Sequence, residues 1–237
     1  MDPLIRARGL VKRYGGRTVV KGIDLDIHPN EVVALIGPNG AGKTTTLEMI
    51  LGLRPPDGGS VAYWCEDPRK HLGVQLQATP FFPALTAAEN LQLIAAFYGM
   101  RLQPGEMRDI LQRCGLAEAE RTEASRLSGG QQKRLAIAIA LVHRPQVLFL
   151  DEPTAALDPR ARKEIRDLIR RLSRSGTTIV FTSHDMEEVE KLADRVILIH
   201  RGEIRAEGSP ESLPRQYGVG NLEELYLELT VWPAFGG

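Results

Sequence analysis

Residues 31–45 read EVVALIGPNGAGKTT, and the fold turns on this stretch. EVVALIG at 31–37 is a continuous apolar run bounded by turn residues, the pattern of a strand buried on both faces of a sheet. GPNGAGKTT at 37–45 then satisfies G-x-x-x-x-G-K-[ST]. A helical stretch runs from Lys43 to about Leu51, and RPPDGGS at 54–60 breaks it. Strand, glycine-rich turn and helix in this order make a cradle for phosphate. Glycines let backbone N–H groups turn inward into a concave nest. The helix N-terminus adds a partial positive charge. Lys43 can reach the β- and γ-phosphates of a nucleotide, and the Thr44 hydroxyl can ligate Mg²⁺, a hard cation that keeps oxygen ligands. The candidate nucleotide-binding residues are therefore Gly37, Pro38, Asn39, Gly40, Ala41, Gly42, Lys43, Thr44 and Thr45. The loop alone leaves the reaction open, because kinases, GTPases, motors and transport ATPases all use one.

Outward from the loop, strand-like segments recur. IRARGLVKRY and VVKGIDLDIH precede it, with a turn at Pro29-Asn30. Downstream, VLFLDEP at 147–153 is a second buried-strand run, followed by a charged amphipathic helix over 160–173 with Ile165, Leu168, Ile169 and Leu172 on one face. TTIVFTSH at 177–184 reads as a strand, MEEVEKLA as a helix, RVILIH as a strand and RGEIRAEGS as a hairpin. The middle differs. TAAENLQLIAAFYG and PGEMRDILQRCGL are helical, Thr86 with Glu89 forms a capping-box pattern, and Ser128 to Val142 predicts another helix. The organisation expected is α/β: a core with a mostly parallel sheet over 1–215, an N-terminal antiparallel β subdomain, a helical subdomain inserted at about 78–144, and a short helical tail over 216–237.

VLFLDEP delivers Asp151 and Glu152 at the C-terminal end of a buried strand, the edge where ligands of open parallel sheets gather. Asp151 fits a second Mg²⁺ contact, direct or through water. Glu152 follows it immediately, and alternation along a strand aims it elsewhere, where it can orient or deprotonate a water attacking the γ-phosphate.

LSGGQQKR at 127–134 places Ser128, Gly129 and Gly130 at the start of a predicted helix, a second anion-binding tip in the same chain. Such a tip is redundant in a monomer with one nucleotide and makes sense if it meets the nucleotide of another subunit. Here the chain resembles the nucleotide-binding subunit of ATP-binding cassette (ABC) transporters, with a P-loop NTPase core. GPNGAGKTT, LSGGQ, VLFLDEP and TSHD stand in that family's order, and the resemblance covers essentially the whole chain.

The resemblance implies ATP and Mg²⁺ as ligands, ATP hydrolysis as the activity, and a head-to-tail dimer with two ATPs at its interface. Each ATP lies between one subunit's phosphate loop and the other's Ser128, Gly129, Gly130 and Gln131. It further implies that Tyr14 stacks on adenine, that Val19 walls the ribose, and that His184 contacts the γ-phosphate. Gln77 is implied to touch Mg²⁺ and water, with Gln75, two residues earlier on the same strand face, as the alternative. The segment after Pro153 departs from the commonest form: TAALDP replaces Ser-Gly before Leu-Asp, so Ala155 lacks a hydroxyl and Ala156 is less permissive than glycine, while Asp158 keeps the cross-dimer contact.

The remaining properties bound the partners. A formal net charge of zero over 237 residues gives no basic face for nucleic acid, so no nucleic-acid partner is expected. The chain opens without an apolar leader, and its longest apolar run, LAIAIALV at 135–142, is too short to span a bilayer. Cys65 and Cys114 form neither a metal pattern nor a disulfide framework. The expectation is a cytoplasmic subunit, peripheral on the membrane through a separate transmembrane permease, paired with a second copy of itself or a related ATPase subunit. In the family, the region over 78–90 receives a permease helix, and Phe81, Phe82 and Pro83 fall in it. LGVQLQATPFFPALTAAENL and NLEELYLELT resemble exporters of the ABC-2 type, which move drugs, lipids or polysaccharides. An ABC importer subunit and a soluble, non-transport ABC ATPase are the alternatives.

Overall fold

The structure is a computed structural model and describes residues 2–76 and 81–230. Gln77, residues 78–80 of the proposed permease-facing segment, and the end of the tail over 231–237 lie outside the described residues. In chain order the elements begin with β1 (Ile5–Tyr14), β2 (Arg17–Ile27), β3 (Val32–Ile36), α1 (Lys43–Ile50), β4 (Gly58–Tyr63) and β5 (Leu72–Gln75). Three helices follow: α2 (Ala87–Phe97), α3 (Pro104–Arg113) and α4 (Gly129–Ala140). The chain continues through β6 (Val147–Asp151), α5 (Pro159–Arg174), β7 (Thr178–Ser183), α6 (Met186–Leu192), β8 (Arg195–His200) and β9 (Glu203–Gly208), and closes with α7 (Ser212–Tyr217) and α8 (Leu222–Thr230). It divides into two compact units, Met1–Glu66 with Val180–Gly237, and Asp67–Ile179.

In the first unit, β1 lies between β2 and β4 in an antiparallel sheet, the expected N-terminal β subdomain. β3 pairs in parallel with β8, and β8 turns back on β9 through Arg201 and Gly202, both at positive φ as a two-residue hairpin demands. All five residues of β3 are buried, as the apolar run at 32–36 requires. The entry to β3 is fixed by polar pairing. The Glu31 carboxylate accepts from the His28 N–H at 2.6 Å and from the Arg195 guanidinium at 2.6 Å, and Asp194 accepts from the Val32 N–H at 2.8 Å. In the tail, α8 over Leu222–Thr230 is the helix expected for NLEELYLELT, and a further short helix, α7, precedes it. α7 spans the anticipated boundary between 215 and 216, so the tail does not begin as a separate element there.

In the second unit, β5 and β6 pair in parallel, with Gln75 opposite Leu150. The Thr86–Glu89 capping box forms at the start of α2. Buried Asn90 spends its whole amide on the loop before that helix. It donates to the carbonyls of Phe82, Leu85 and Thr86 at 3.0–3.1 Å and accepts from the Phe82 N–H at 2.7 Å. α5 buries Ile165, Leu168, Ile169 and Leu172, the face its 3.6-residue period predicts. Both cysteines are free thiols, and burial pushes Cys114 up to about 12, so it packs as an apolar side chain. Among the described residues no helix is long and apolar enough to cross a membrane.

The end of α2 is tied to β5 through a stacked ring pair. Tyr98, which ends α2, stacks on His143 with centroids 4.1 Å apart and planes 10° from parallel. The His143 Nε2 lies 3.0 Å from the Leu72 carbonyl oxygen. Burial lowers the His143 pKa and nearby His71 lowers it further, against the opposing effect of the Leu72 carbonyl. A histidine lowered on folding binds its proton more readily in the unfolded chain. Its contribution is therefore complete above the unfolded value of about 6.5 and is lost as pH falls below it. We predict that the melting temperature falls between pH 7 and pH 5 and that His143→Gln flattens the fall. An unchanged pH slope in that variant would contradict the assignment.

Candidate functional site

The phosphate loop belongs to the first unit, and its shape depends on backbone pressed against backbone. Gly37 has φ 149°, and a Cβ there would overlap the carbonyl oxygen of Ile199 in β8. Gly42, at φ 105°, would place a Cβ 3.0 Å from the Val19 carbonyl oxygen in β2. Only glycine meets both the conformation and the close approach. Between them, the Ala41 carbonyl accepts from the Gly202 N–H at 2.9 Å, and the Gly202 carbonyl accepts from the Lys21 N–H at 2.9 Å. The β8–β9 turn is thus a strut that ties β2 to the loop.

Lys43 is buried and donates to the carbonyls of Gly37 at 2.6 Å and Pro38 at 3.1 Å. Its ammonium lies over the loop that would cradle phosphate. Thr44 is exposed at the first turn of α1, whereas the Thr46 hydroxyl donates to the Gly42 carbonyl at 2.8 Å and caps the loop from within. Exposed hydroxyl, inward-turned backbone and ammonium form a donor set that suits a Mg²⁺-bound polyphosphate.

Val19 is half-buried in β2, with its carbonyl against the loop. Tyr14 ends β1 with 41 % of its surface exposed, leaving ring area available for a planar base. The Arg54 guanidinium stands 5.3 Å from the ring centroid, held in turn by Glu48 at 2.6 Å. His184 is exposed just beyond β7, between two fixed neighbours. The buried Ser183 hydroxyl donates to Glu188 at 2.7 Å and accepts from the Asp185 N–H at 3.1 Å, while Asp185 caps α6.

The second unit carries the carboxylates. Asp151 is buried at the end of β6. Glu152 is half-buried and stands outside the strand at φ 45°, so strand alternation does not set its direction; a left-handed backbone turn does. Ala156 also lies at positive φ, 60°, which a glycine adopts freely and an alanine only with strain. Gln75 is fully buried beside β6; its Nε2 donates to the Leu76 carbonyl at 2.5 Å, and its Oε1 has no hydrogen-bond partner among the described residues. Lys133 in α4 is half-buried and within electrostatic reach of both carboxylates. Burial lowers its pKa, and the charges of Asp151 and Glu152 act against that shift.

LSGGQ forms the start of α4. Ser128 caps it: its Oγ accepts from the Gln131 N–H at 3.3 Å, and the Gln131 side chain accepts from the Ser128 N–H at 2.9 Å. This box engages two of the backbone donors at the tip, the N–H groups of Ser128 and Gln131. Ser128 and Gly129 are exposed, Gln131 is half-buried and Gly130 is buried. Asp158 caps α5, accepting from the Ala161 N–H at 2.9 Å, and remains exposed. In the loop before α2, Phe82 is 46 % exposed and Pro83 exposed, with Phe81 half-buried.

Comparison with known proteins gives a consistent result. The profile of the family described as ABC transporter matches residues 20–155. The linearmycin resistance ATP-binding protein LnrL of Bacillus subtilis is 36 % identical over 231 residues, covering 94 % of this chain and 74 % of that protein. The Nod factor export ATP-binding protein I of Burkholderia orbicola is 41 % identical over 216 residues, covering 87 % of this chain and 71 % of that one. Among solved structures, an ATP binding subunit of an ABC transporter superposes with a TM-score of 0.83 at 28 % identity, covering 95 % of this chain and 99 % of that one. The cbiO1 protein of Clostridium perfringens, part of the ABC transporter complex cbiONQ, superposes with a TM-score of 0.81 at 29 % identity, covering 92 % of each chain.

The loop geometry makes a direct prediction. Gly37→Ala forces a Cβ onto the Ile199 carbonyl and is expected to lower unfolding free energy by about 1–3 kcal/mol, in the range of overpacking substitutions. Urea denaturation measures it, and an unshifted midpoint would show that the approach is looser than described.

Proposed function

Because the chain belongs to the ABC transporter family as an ATP-binding and ATP-hydrolysing subunit, we propose that it dimerises on ATP and drives a separate membrane permease, as the motor of an exporter. The observation that carries this reading is the presence in one chain of a phosphate loop and of the exposed LSGGQ tip of α4. One nucleotide per subunit leaves the second tip without a ligand unless it faces the nucleotide of another copy.

The roles follow from the chemistry of each group. The loop over 37–45, with Lys43, holds the phosphates, Tyr14 takes the adenine ring, and Val19 lines the ribose. Thr44 and Asp151, with Gln77, are the oxygen ligands for Mg²⁺, which supplies charge neutralisation at the phosphates. Glu152 orients and deprotonates the attacking water, and His184 donates to the γ-phosphate. Ser128, Gly129, Gly130, Gln131 and Asp158 serve the nucleotide of the opposite subunit, in a homodimer or with a related ATPase chain. The helices within about 78–144 are the helical subdomain, and exposed Phe82 and Pro83 meet the permease, placing the subunit on the cytoplasmic face of the membrane.

Two relatives are named for linearmycin resistance and for Nod factor export, and these names support the exporter reading, with drugs, lipids or polysaccharides as the class of cargo. Purification from membranes with the associated permease tests this. Recovery of a six-span membrane protein without an extracellular binding protein supports export. Recovery with an extracellular binding protein points to an importer, and recovery with ribosomes or without any membrane protein would overturn transport.

The hydrolytic role is tested separately. Glu152→Gln is expected to cut steady ATP turnover by at least about 100-fold, the scale of a lost general base, while ATP binding persists and a nucleotide-dependent dimer accumulates. Undiminished turnover would remove Glu152 from that role.

A further inference from the structure

Helices α4 and α5 begin side by side in the second unit. At Gly130 their backbones come so close that a Cβ would stand 2.8 Å from the Ala161 Cβ. At Gly129 the nearest group to such a Cβ would be the Leu157 Cδ2 at 3.8 Å. One turn farther in, the Arg134 guanidinium donates to the Glu164 carboxylate. The other oxygen of Glu164 accepts from the Arg160 Nε at 3.1 Å. Gly130 to Arg134 is a step of i,i+4, and Ala161 to Glu164 a step of i,i+3, so both contacts lie along one face of each helix. The two helices therefore run together from a common N-terminal end, with a contact of small residues at the tip and a charged clamp behind it.

The clamp is asymmetric in burial. The Arg134 side chain is only 14 % exposed, and its buried Nε has no hydrogen-bond partner among the described residues. Glu164 is more open, at 37 %. Partial burial works against ionisation of Glu164, but hydrogen bonds from Arg160 and Arg134 outweigh it and keep the carboxyl below its ordinary range. Removing Glu164 leaves a largely buried guanidinium without its carboxylate, and the guanidinium must then move to find water. The charged tie between α4 and α5 is then lost.

The tips of these helices carry Ser128 and Gln131 on one side and Asp158 on the other. We propose that Arg134 and Glu164 are positioning residues that lock the signature tip and Asp158 into a single body, so that both engage the facing nucleotide site together. Neither residue touches nucleotide. This inference rests on the reading above that the signature and Asp158 serve the nucleotide of a second subunit.

The experiment uses the full chain with Arg134→Lys, Arg134→Ala, Glu164→Gln, Glu164→Ala, the single reversals R134E and E164R, and the exchanged pair R134E/E164R. Steady-state kcat and KM for ATP are measured well below each variant's melting temperature, with binding of a fluorescent ATP analogue to the monomer. The nucleotide-dependent dimer is measured in the Glu152→Gln background. Positioning predicts that kcat falls about 10- to 100-fold, the scale of a reacting group displaced by about 1 Å. Analogue binding stays within about twofold of wild type, since the phosphate loop is untouched, and the dimer fraction drops. The exchanged pair recovers turnover that neither single reversal retains, and Arg134→Lys is milder than Arg134→Ala.

Full kcat in variants with lowered melting temperature would reduce the clamp to a stability contact and overturn the proposal. Strict additivity in the exchanged pair would do the same. Ser128→Arg separates this proposal from the reading beneath it. If Ser128→Arg abolishes turnover while the Arg134 and Glu164 variants keep it, only the positioning role fails. If Ser128→Arg leaves turnover intact, the two-subunit site fails and the proposal with it.

Discussion

At Gly37 the backbone of the phosphate loop touches the backbone of β8 with no room for a side chain between them. The rest of the loop's geometry follows from that contact. Because the chain lies flat on the strand, the Ala41 carbonyl meets the Gly202 N–H, Gly202 reaches Lys21, and Gly42 comes down on the Val19 carbonyl. The Lys43 charge is buried among carbonyls already fixed in direction. A phosphate-binding nest works through preorganisation: its dipoles must be aimed before the anion arrives, or the cost of turning them is taken out of binding. Here the aim is set by backbone contact and hydrogen bonds rather than by side chains.

The second unit uses the same device at the signature. Gly130 lets α4 approach Ala161, and the approach places the Ser128 cap near the start of the helix that Asp158 caps. Between β6 and α5 the chain makes a tight turn that costs strain. Glu152 and Ala156 both sit in the left-handed region, at about 1–2 kcal/mol per residue without glycine. Strain of this kind persists only where the surrounding structure over-determines it, and it concentrates at working sites. The turn also explains the direction of Glu152, which leaves the strand immediately after Asp151 instead of continuing its alternation.

Much of this was legible in the sequence because the signals are local. Apolar runs at 32–36 and 147–150 read as buried strands once glycine and proline punctuate them, and the period of 160–173 fixes its buried face. Thr86 with Glu89 specifies a helix start within four residues, so the capping box forms as read. What stayed hidden is non-local. Nothing in RGEIRAEGS says that Gly202 will brace a loop some 160 residues earlier in the chain. Likewise Lys133 and Arg134 look like solvated charges on a polar helix face until α4 packs against its neighbours. α7 has no comparable local signal: six residues long, it carries Pro214 within its first turn, where a missing N–H costs nothing.

The sequence by itself displayed the chemical groups: a glycine-rich loop with Lys43 and Thr44, a buried strand ending in Asp151 with Glu152 directly after it, and a second glycine-bearing helix start at Ser128. Those assignments depend on residue types at short spacings, which a linear chain displays openly. Tertiary structure alone decided how these groups are held. It showed that Gly37 and Gly130 are glycine because another backbone or side chain occupies the space of a Cβ, and that Arg134 finds its charge partner on α5. Close approach and charge pairing depend on distance in space, and only the folded chain converts separations of thirty or more residues into contacts of a few ångströms.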